Sequence, residues 1–493
     1  MPFWIDESIP FRTAVRFLGG AYPVRLTVIG AGYVGLNTGV AAAYLGHDVV
    51  CVDKDPRKLA LLNEGKSPIH EQGLEELLSQ VRERIRFTAN TPEAVRDADV
   101  IMIAVGTPPK SNGEADTSYV EEAVREVAQG LEDGRQYTLV VKSTVPIGTN
   151  RRVAHVVTRV LAQRGVTADI HFASNPEFLR EGFALYDTFY PDRIVVGTES
   201  EAAVEVMEEL YRPILEQSFE PPTCVPVPQA RTTPPLVKTD PTSAEMIKYA
   251  SNAFLAVKIS FANEIAGLCE RVGADVVEVM RGVGLDSRIG PRFLGAGVGW
   301  GGSCFPKDTA ALISVAAEYG YDMPITEAAR LVNARQRRVA VEKLQEALKV
   351  LRGRTIGVLG LAFKPGTDDV RESPAIDIIR MLVDRGVHVK AHDPVAMDNA
   401  RAVLADIEVE FVHDPYELAK DADGLVLATE WDVYRELDLR KLAALMRVPV
   451  LVDGRNVFKP EEARAAGFTY LSIGRPDVYV EAAQRPVSAV IGV

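Results

Sequence analysis

Cysteine is scarce in this chain, with four in 493 residues (Cys51, Cys224, Cys269 and Cys304) and no C-x-x-C pair among them. That spacing excludes a disulfide framework and a cysteine zinc site, and makes a reducing, cytoplasmic setting the expectation. Aromatic residues are also few, at 7%. No apolar run is long enough to cross a bilayer, so no membrane partner is expected. The N-terminal stretch MPFWIDESIPFRTAVRFLGGAYPV carries acids early and has no apolar core with a cleavage site, so it does not read as a signal peptide. Positive charge is in deficit: the net charge is −13, which argues against a nucleic-acid partner. What remains, 47% hydrophobic and 25% charged residues, is ordinary for a globular protein of more than one domain.

The first strong pattern is RLTVIGAGYVGLNTGVAAAYLGHDVVCVDKD. A short apolar run meets Gly30, Gly32 and Gly35, an alanine-rich helix follows, and a second strand ends at Asp53. Such glycines permit a tight turn, close approach of a pyrophosphate and close helix packing, and an acid at the next strand end holds ribose hydroxyls. The turn, Gly30-Ala31-Gly32-Tyr33-Val34-Gly35, with Asp53, therefore predicts NAD as the cofactor. Further apolar strands at Val100, Tyr137, Asp169 and Arg193 alternate with helical stretches, as in a doubly wound parallel sheet. From Thr242 to Gly273 there is no breaker, and the apolar spacing predicts one long helix. At Arg354 the opening pattern returns, down to the rhyme of LGHDVVCVDKDP with RGVHVKAHDP.

The expected architecture is α/β: two Rossmann-like doubly wound parallel-sheet domains joined by a long central helix. The expected divisions are an N-terminal extension (1–24), an NAD-binding domain (25–219), a proline-rich loop (220–241), a central helical region (242–352) and a C-terminal domain (353–493). The segment Glu220–Pro241, EPPTCVPVPQARTTPPLVKTDP, has no periodicity and reads as an exposed loop.

In GWGGSCFPKD, Cys304 follows a glycine pair and precedes a helix start near Pro306, with Lys307 beside it. A helix N-terminus and a lysine both favour a thiolate. A nicotinamide cofactor with a nucleophilic cysteine points to oxidation of an aldehyde through a thiohemiacetal and a thioester. Such chemistry needs a group for the oxyanion and carboxylates for protons and water. Lys248 and Asn252, spaced i, i+4 on the long helix, fit the first need, although alone they read more readily as a solvated face. Glu177 in NPEFLREG and Asp308 fit the second. No metal is called for.

These motifs, with VGTPP, KSTVPIGT, AEMIKYASNAFLAVKISFANEI, AFKPGTDDVRESPA and DGRN, resemble the UDP-glucose/GDP-mannose dehydrogenase family in type and order, from about Arg25 to Phe458. The resemblance implies a four-electron oxidation of a sugar C6 alcohol to a carboxylate, with two NAD used in succession. It implies Cys304 as nucleophile, Lys248 with Asn252 at the oxyanion, Asp308 for the first proton and Glu177 for thioester hydrolysis. It also implies NAD contacts at Val34, Asp53, Lys58, Thr107, Thr144, Glu181, Lys307 and Arg371. Sugar-nucleotide contacts are implied at Glu177, Phe178, Leu179, Arg180, Glu181, Lys248, Asn252, Arg288, Phe293, Leu294, Gly295, Ala296, Gly297, Gly301 and Lys364. Arg455 resembles an arginine lent by a neighbouring subunit, and the long helix resembles a homodimer contact. Within the family the segments around Glu177 and Cys304 look most like the UDP-glucose branch, whose product is UDP-glucuronate, a polysaccharide precursor. The alternatives are the same chemistry on GDP-mannose or a UDP-N-acetylhexosamine, or a nucleotide-binding protein without turnover. The chain departs from the family before Leu26, in Glu220–Pro241 and after Phe458, and AFKPGT has a proline where some members have lysine.

Overall fold

The β-branched run RLTVI, followed by glycines, forms strand β1 (Arg25–Ile29) in a computed structural model that describes residues 23–477. The chain divides into two compact units. The first comprises residues up to Thr107 together with Asp116–Lys248, and the second Pro108–Ala115 with the chain from Tyr249 onward.

In the first unit β1 is followed by β2 (Asp48–Val52), β3 (Ile85–Thr88), β4 (Val100–Ile103), β5 (Gln136–Val141), β6 (Asp169–Ser174), β7 (Ile194–Gly197) and β8 (Leu236–Thr239). They make one sheet in the order β3-β2-β1-β4-β5-β6-β7-β8. All pairs are parallel except β6 with β7, which meet antiparallel at Ser174 and Gly197. Alternation along each strand sends Val28, Val100 and Met102 into one apolar core and Ile29, Ile101 and Ile103 into the other. Both faces are therefore covered, as parallel sheets require. The order reverses at β1, between β2 and β4, which is where ligands gather in such sheets. Strand β8 lies within the proline-rich stretch: its first sixteen residues form no regular element, but Leu236–Thr239 pair in parallel with β7. Four residues are too few to show a period, which is why this strand is invisible in the sequence.

The second unit repeats the plan with β9 (Thr355–Leu359), β10 (His388–His392), β11 (Glu410–Phe411), β12 (Gly424–Leu427), β13 (Val450–Asp453) and β14 (Thr469–Ser472). The order is β11-β10-β9-β12-β13-β14, all parallel. The expected α/β class with two doubly wound sheets is what the structure has. The long helix is also present, Pro241–Val272, and the unit boundary falls between its residues Lys248 and Tyr249. The expected N-terminal extension lies, up to residue 22, outside the described residues. Among the described residues no helix is long and apolar enough to cross a membrane.

Candidate active site

In the first unit the glycine turn has the properties a dinucleotide needs. Gly30 sits at φ +104°, and a Cβ there would come within 2.7 Å of the Ala104 carbonyl oxygen. Gly32 has no heavy atom within 4 Å of where a Cβ would be, and it caps the helix Tyr33–Tyr44 with no side-chain hydrogen bond. The first N–H groups of that helix therefore have no side-chain acceptor at the cap, a ready seat for a phosphate. Asp53, at the end of β2, accepts from Ala31 N at 3.0 Å and from Asp55 N at 2.9 Å, with Lys58 Nζ 3.6 Å away. Thr107 Oγ1 donates to the Thr144 carbonyl at 2.7 Å, which joins the strand-end loops after β4 and β5.

The loop after β6 begins Asn175-Pro-Glu177. Glu177 and Lys248 are both buried, and Lys248 Nζ donates to Glu177 Oε1 at 2.9 Å. Glu177 Oε2 accepts from Leu179 N at 2.6 Å. Burial raises this carboxyl's pKa, but the charge and hydrogen bond of Lys248, the Leu179 N–H and the charge of Lys142 outweigh it, leaving the group below the ordinary carboxylate range. It is a carboxylate at neutral pH. Lys248 also lies 5.5 Å from the centre of the Phe178 ring, whose face is covered by Arg193 at 3.6 Å. Arg180 turns its guanidinium onto Asp187 at 2.6 Å, and its N–H donates to the same carboxylate at 2.8 Å.

In the second unit Cys304 is the N-cap residue of the helix Phe305–Glu318, with Pro306 in the first turn. The helix-start reading of FPKD holds to within one residue. Its carbonyl accepts from Asp308 N at 2.8 Å, and its Sγ lies 3.5 Å from Ser303 Oγ. Asp308 is buried; its Oδ2 accepts from Asn252 Nδ2 at 2.6 Å and its Oδ1 from Lys307. Lys248 and Asn252, one turn apart on one unbroken helix, are thus each held by one of the two proposed carboxylates.

The glycine loop before the cysteine is built by close approach. A Cβ on Gly302, at φ +86°, would lie 2.6 Å from the Phe363 ring. Trp300 is locked by Asn333, whose Oδ1 accepts from Trp300 N at 2.7 Å and whose Nδ2 donates to its carbonyl at 2.9 Å. Further back, Gly297 N donates to Asn263 Oδ1 at 2.8 Å, Leu294 and Ala296 are buried, and Phe293 takes φ +64°. Arg288 pairs with Asp286 at 2.6 Å on an exposed turn, and Arg371 with Asp369 at 2.7 Å. Lys364 lies 5.6 Å from the Phe363 ring centre. Arg455, expected to reach a neighbouring subunit, donates in its own chain to the carbonyls of Ala428 (2.8 Å) and Gly299 (3.0 Å). The end of β13 abuts the glycine loop there, with Val298 N bonded to the Gly454 carbonyl at 3.0 Å.

Two buried polar residues at this machinery were not anticipated. Asn333 lies on the helix Pro324–Leu348 in the buried series Thr326, Ala329, Asn333, Gln336 and Ala340. Its three- and four-residue spacing from small and polar neighbours on one helical face was the available signal. Glu71, in a loop without period, offered none.

Three sequence models cover most of the chain: the UDP-glucose/GDP-mannose dehydrogenase family's NAD binding domain (residues 24–215), central domain (242–335) and UDP binding domain (357–460). A UDP-glucose 6-dehydrogenase of Bacillus subtilis (strain 168) is 47% identical over 92% of this chain and 94% of its own. One of Rhizobium meliloti (strain 1021) is 47% identical over 92% of this chain and all of its own. Among solved structures, a UDP-glucose dehydrogenase from Pyrobaculum islandicum superposes with a TM-score of 0.82 at 43% identity, over 93% of this chain and 100% of that one. A UDP-D-ManNAc dehydrogenase from Pyrococcus horikoshii gives 0.78 at 29%, over 92% and 100%.

Proposed function

This chain belongs to the UDP-glucose/GDP-mannose dehydrogenase family, and from that premise we propose that it oxidises the C6 alcohol of UDP-glucose to a carboxylate. UDP-glucose, water and two NAD give UDP-glucuronate and two NADH. The single observation that carries the chemistry is the pair of buried couples on one helix, Lys248 with Glu177 and Asn252 with Asp308, alongside a cysteine at a helix N-cap. The 47% identity to two UDP-glucose 6-dehydrogenases favours glucose over other sugars.

NAD fits the residues present. Gly32 leaves open space beside an uncapped helix start, and Asp53 stands at the adjoining strand end to receive a ribose. Lys58, Thr107, Thr144, Glu181, Lys307 and Arg371 complete its contacts. When bound, NAD supplies the hydride acceptor.

The chain's own groups then divide the work. Lys248 steadies negative charge on the C6 oxygen, with Asn252 beside it. Asp308, through water, takes the hydroxyl proton. Cys304 Sγ forms a bond to the aldehyde carbon, which keeps the intermediate from leaving. Glu177, ionised at neutral pH, directs water to the thioester, and Cys304 departs as the thiolate. The loops 177–181 and 293–297, with Gly301, Arg288 and Lys364, hold the nucleotide sugar.

The chain acts as a homodimer through its long helix. Phe254, Phe261, Leu268 and Val272, spaced by seven, seven and four, are from 46% to 67% exposed. That is an apolar stripe at coiled-coil spacing, suited to a second copy. A cytoplasmic site accords with four cysteines of which none is in a disulfide.

The test is a panel of UDP-glucose, GDP-mannose and a UDP-N-acetylhexosamine, read as NADH released per mole of sugar. Two NADH with UDP-glucose preferred is the expected result. A clear preference for another sugar overturns the substrate, and one NADH or none overturns the four-electron cycle.

A further inference from the structure

The glycine turn of the first unit carries one large side chain, Tyr33, between Gly32 and Val34. A dinucleotide turn needs small residues and backbone N–H groups, not a phenol. The Tyr33 hydroxyl leaves the turn altogether. It donates to Glu71 Oε2 and accepts from Gly182 N at 2.6 Å. Glu71 is itself buried: its Oε2 also accepts from Gly182 N at 2.8 Å, and its Oε1 from Ala184 N at 2.7 Å. One carboxylate and one phenol thus anchor the peptide groups that close the loop running from Glu177 through Arg180. Gly182 takes φ +80°, so the chain reverses at the anchored residue. Burial raises the pKa of both Tyr33 and Glu71, which favours a shared proton over separate charges.

We propose that Tyr33, although it stands in the dinucleotide turn, is a positioning residue for the sugar-holding loop 177–181 and acts through Glu71. The proposal rests on the reading above that this loop holds the nucleotide sugar. The physical reason is rotational. Glu71 comes from a loop between the helices Pro56–Glu64 and Leu74–Gln80, and its two oxygens must face two different N–H groups at once. The Tyr33 hydroxyl fixes that rotamer, because turning the carboxylate away leaves a buried donor unsatisfied. The backbone of Tyr33 remains with the cofactor turn while its side chain serves the other ligand.

Calorimetric Kd values for UDP-glucose and for NAD, each alone and on the full-length protein, separate the two roles. For Tyr33→Phe, which keeps the ring and its packing, the Kd of UDP-glucose should rise about tenfold while that of NAD stays within about twofold. The KM values from NADH release should split the same way. Glu71→Gln should shift the sugar in the same direction, and the double variant should bind no worse than Glu71→Gln alone, since both act through one cluster. A rise confined to NAD would make Tyr33 a cofactor contact and overturn the proposal. Equal loss of both ligands, or no change in either, overturns it as well. If Glu71→Gln does not fold, Tyr33→Phe decides alone. A wild-type protein that binds a different nucleotide sugar in place of UDP-glucose defeats only the substrate assignment, and the same split is then read with that sugar.

Discussion

Cys304 and Asp53 do their work through immediate neighbours, and their substitution gives the sharpest outcomes. Cys304→Ser keeps the N-cap geometry of the helix Phe305–Glu318 but replaces the sulfur with a far weaker nucleophile. UDP-glucuronate formation should fall by about a thousandfold or more, measured by chromatography of the products. A near-normal yield would falsify covalent catalysis. Asp53→Ala removes the acceptor at the end of β2, and NAD affinity should weaken about 10- to 100-fold by fluorescence titration. Unchanged affinity would mean the ribose is held elsewhere. The places of these two residues were legible in the sequence because they follow from short spacing: a glycine turn with an acid at the next strand end, and a cysteine before a proline-started helix. Glu71 and Asn333 were not, because the partners of each lie more than thirty residues away, Tyr33, Gly182 and Ala184 for one and Trp300 for the other.

At the scale of elements, the first turns of the long helix carry one acid, Glu245, and hold another, Glu177, through Lys248, with opposing pH dependence. Glu245, buried, accepts from Gly148 N at 2.6 Å and Asn150 N at 2.8 Å. Burial, only partly offset by those N–H groups, pushes its carboxyl up to about 7. A raised carboxyl favours folding while protonated, so its contribution is full below about 4.5 and is lost as pH rises towards 7. Glu177 runs the other way: held low by Lys248, it contributes above the ordinary glutamate range and loses that contribution as acid protonates it. Glu245→Gln should therefore flatten the fall in melting temperature between pH 5 and about 7.5, recovering up to about 3 kcal/mol at the upper end. A variant whose profile parallels the wild type would show that the carboxyl titrates normally. The long helix itself was readable from its unbroken apolar spacing, and its boundaries, Pro241 and Val272, fall within a residue of the expected ones. Strand β8 was not, since it gains its identity from pairing with β7 rather than from its own four residues.

For the molecule as a whole, the repeat of strand, glycine turn, helix and strand announced two doubly wound sheets, and both are present. The antiparallel contact between β6 and β7 in the first sheet was beyond reach, because direction within a sheet depends on the path of the connection and not on the strand's composition. The apolar stripe of the long helix is where the proposed homodimer is put to the test. Phe261→Asp places a charge at its middle and should shift the protein from dimer to monomer by analytical ultracentrifugation, with little change in the helix signal by circular dichroism. A dimer that survives this substitution assembles through another face.

The two sheets rhyme, but the acids at corresponding strand ends have parted company. Asp393, after β10, is wholly buried and receives the N–H groups of Leu361, Ala362, Val395 and Ala396 and the Trp431 indole. Asp53 keeps part of its carboxylate open. In the reaction proposed above, only the first of the twin folds has an acid placed to greet a ribose, and two dinucleotides must then be admitted in a queue. The first must be vacated, reduced, before its replacement docks. A half-oxidised sugar has to outlast that exchange, and a sulfur tether is the kind of leash that lets it wait.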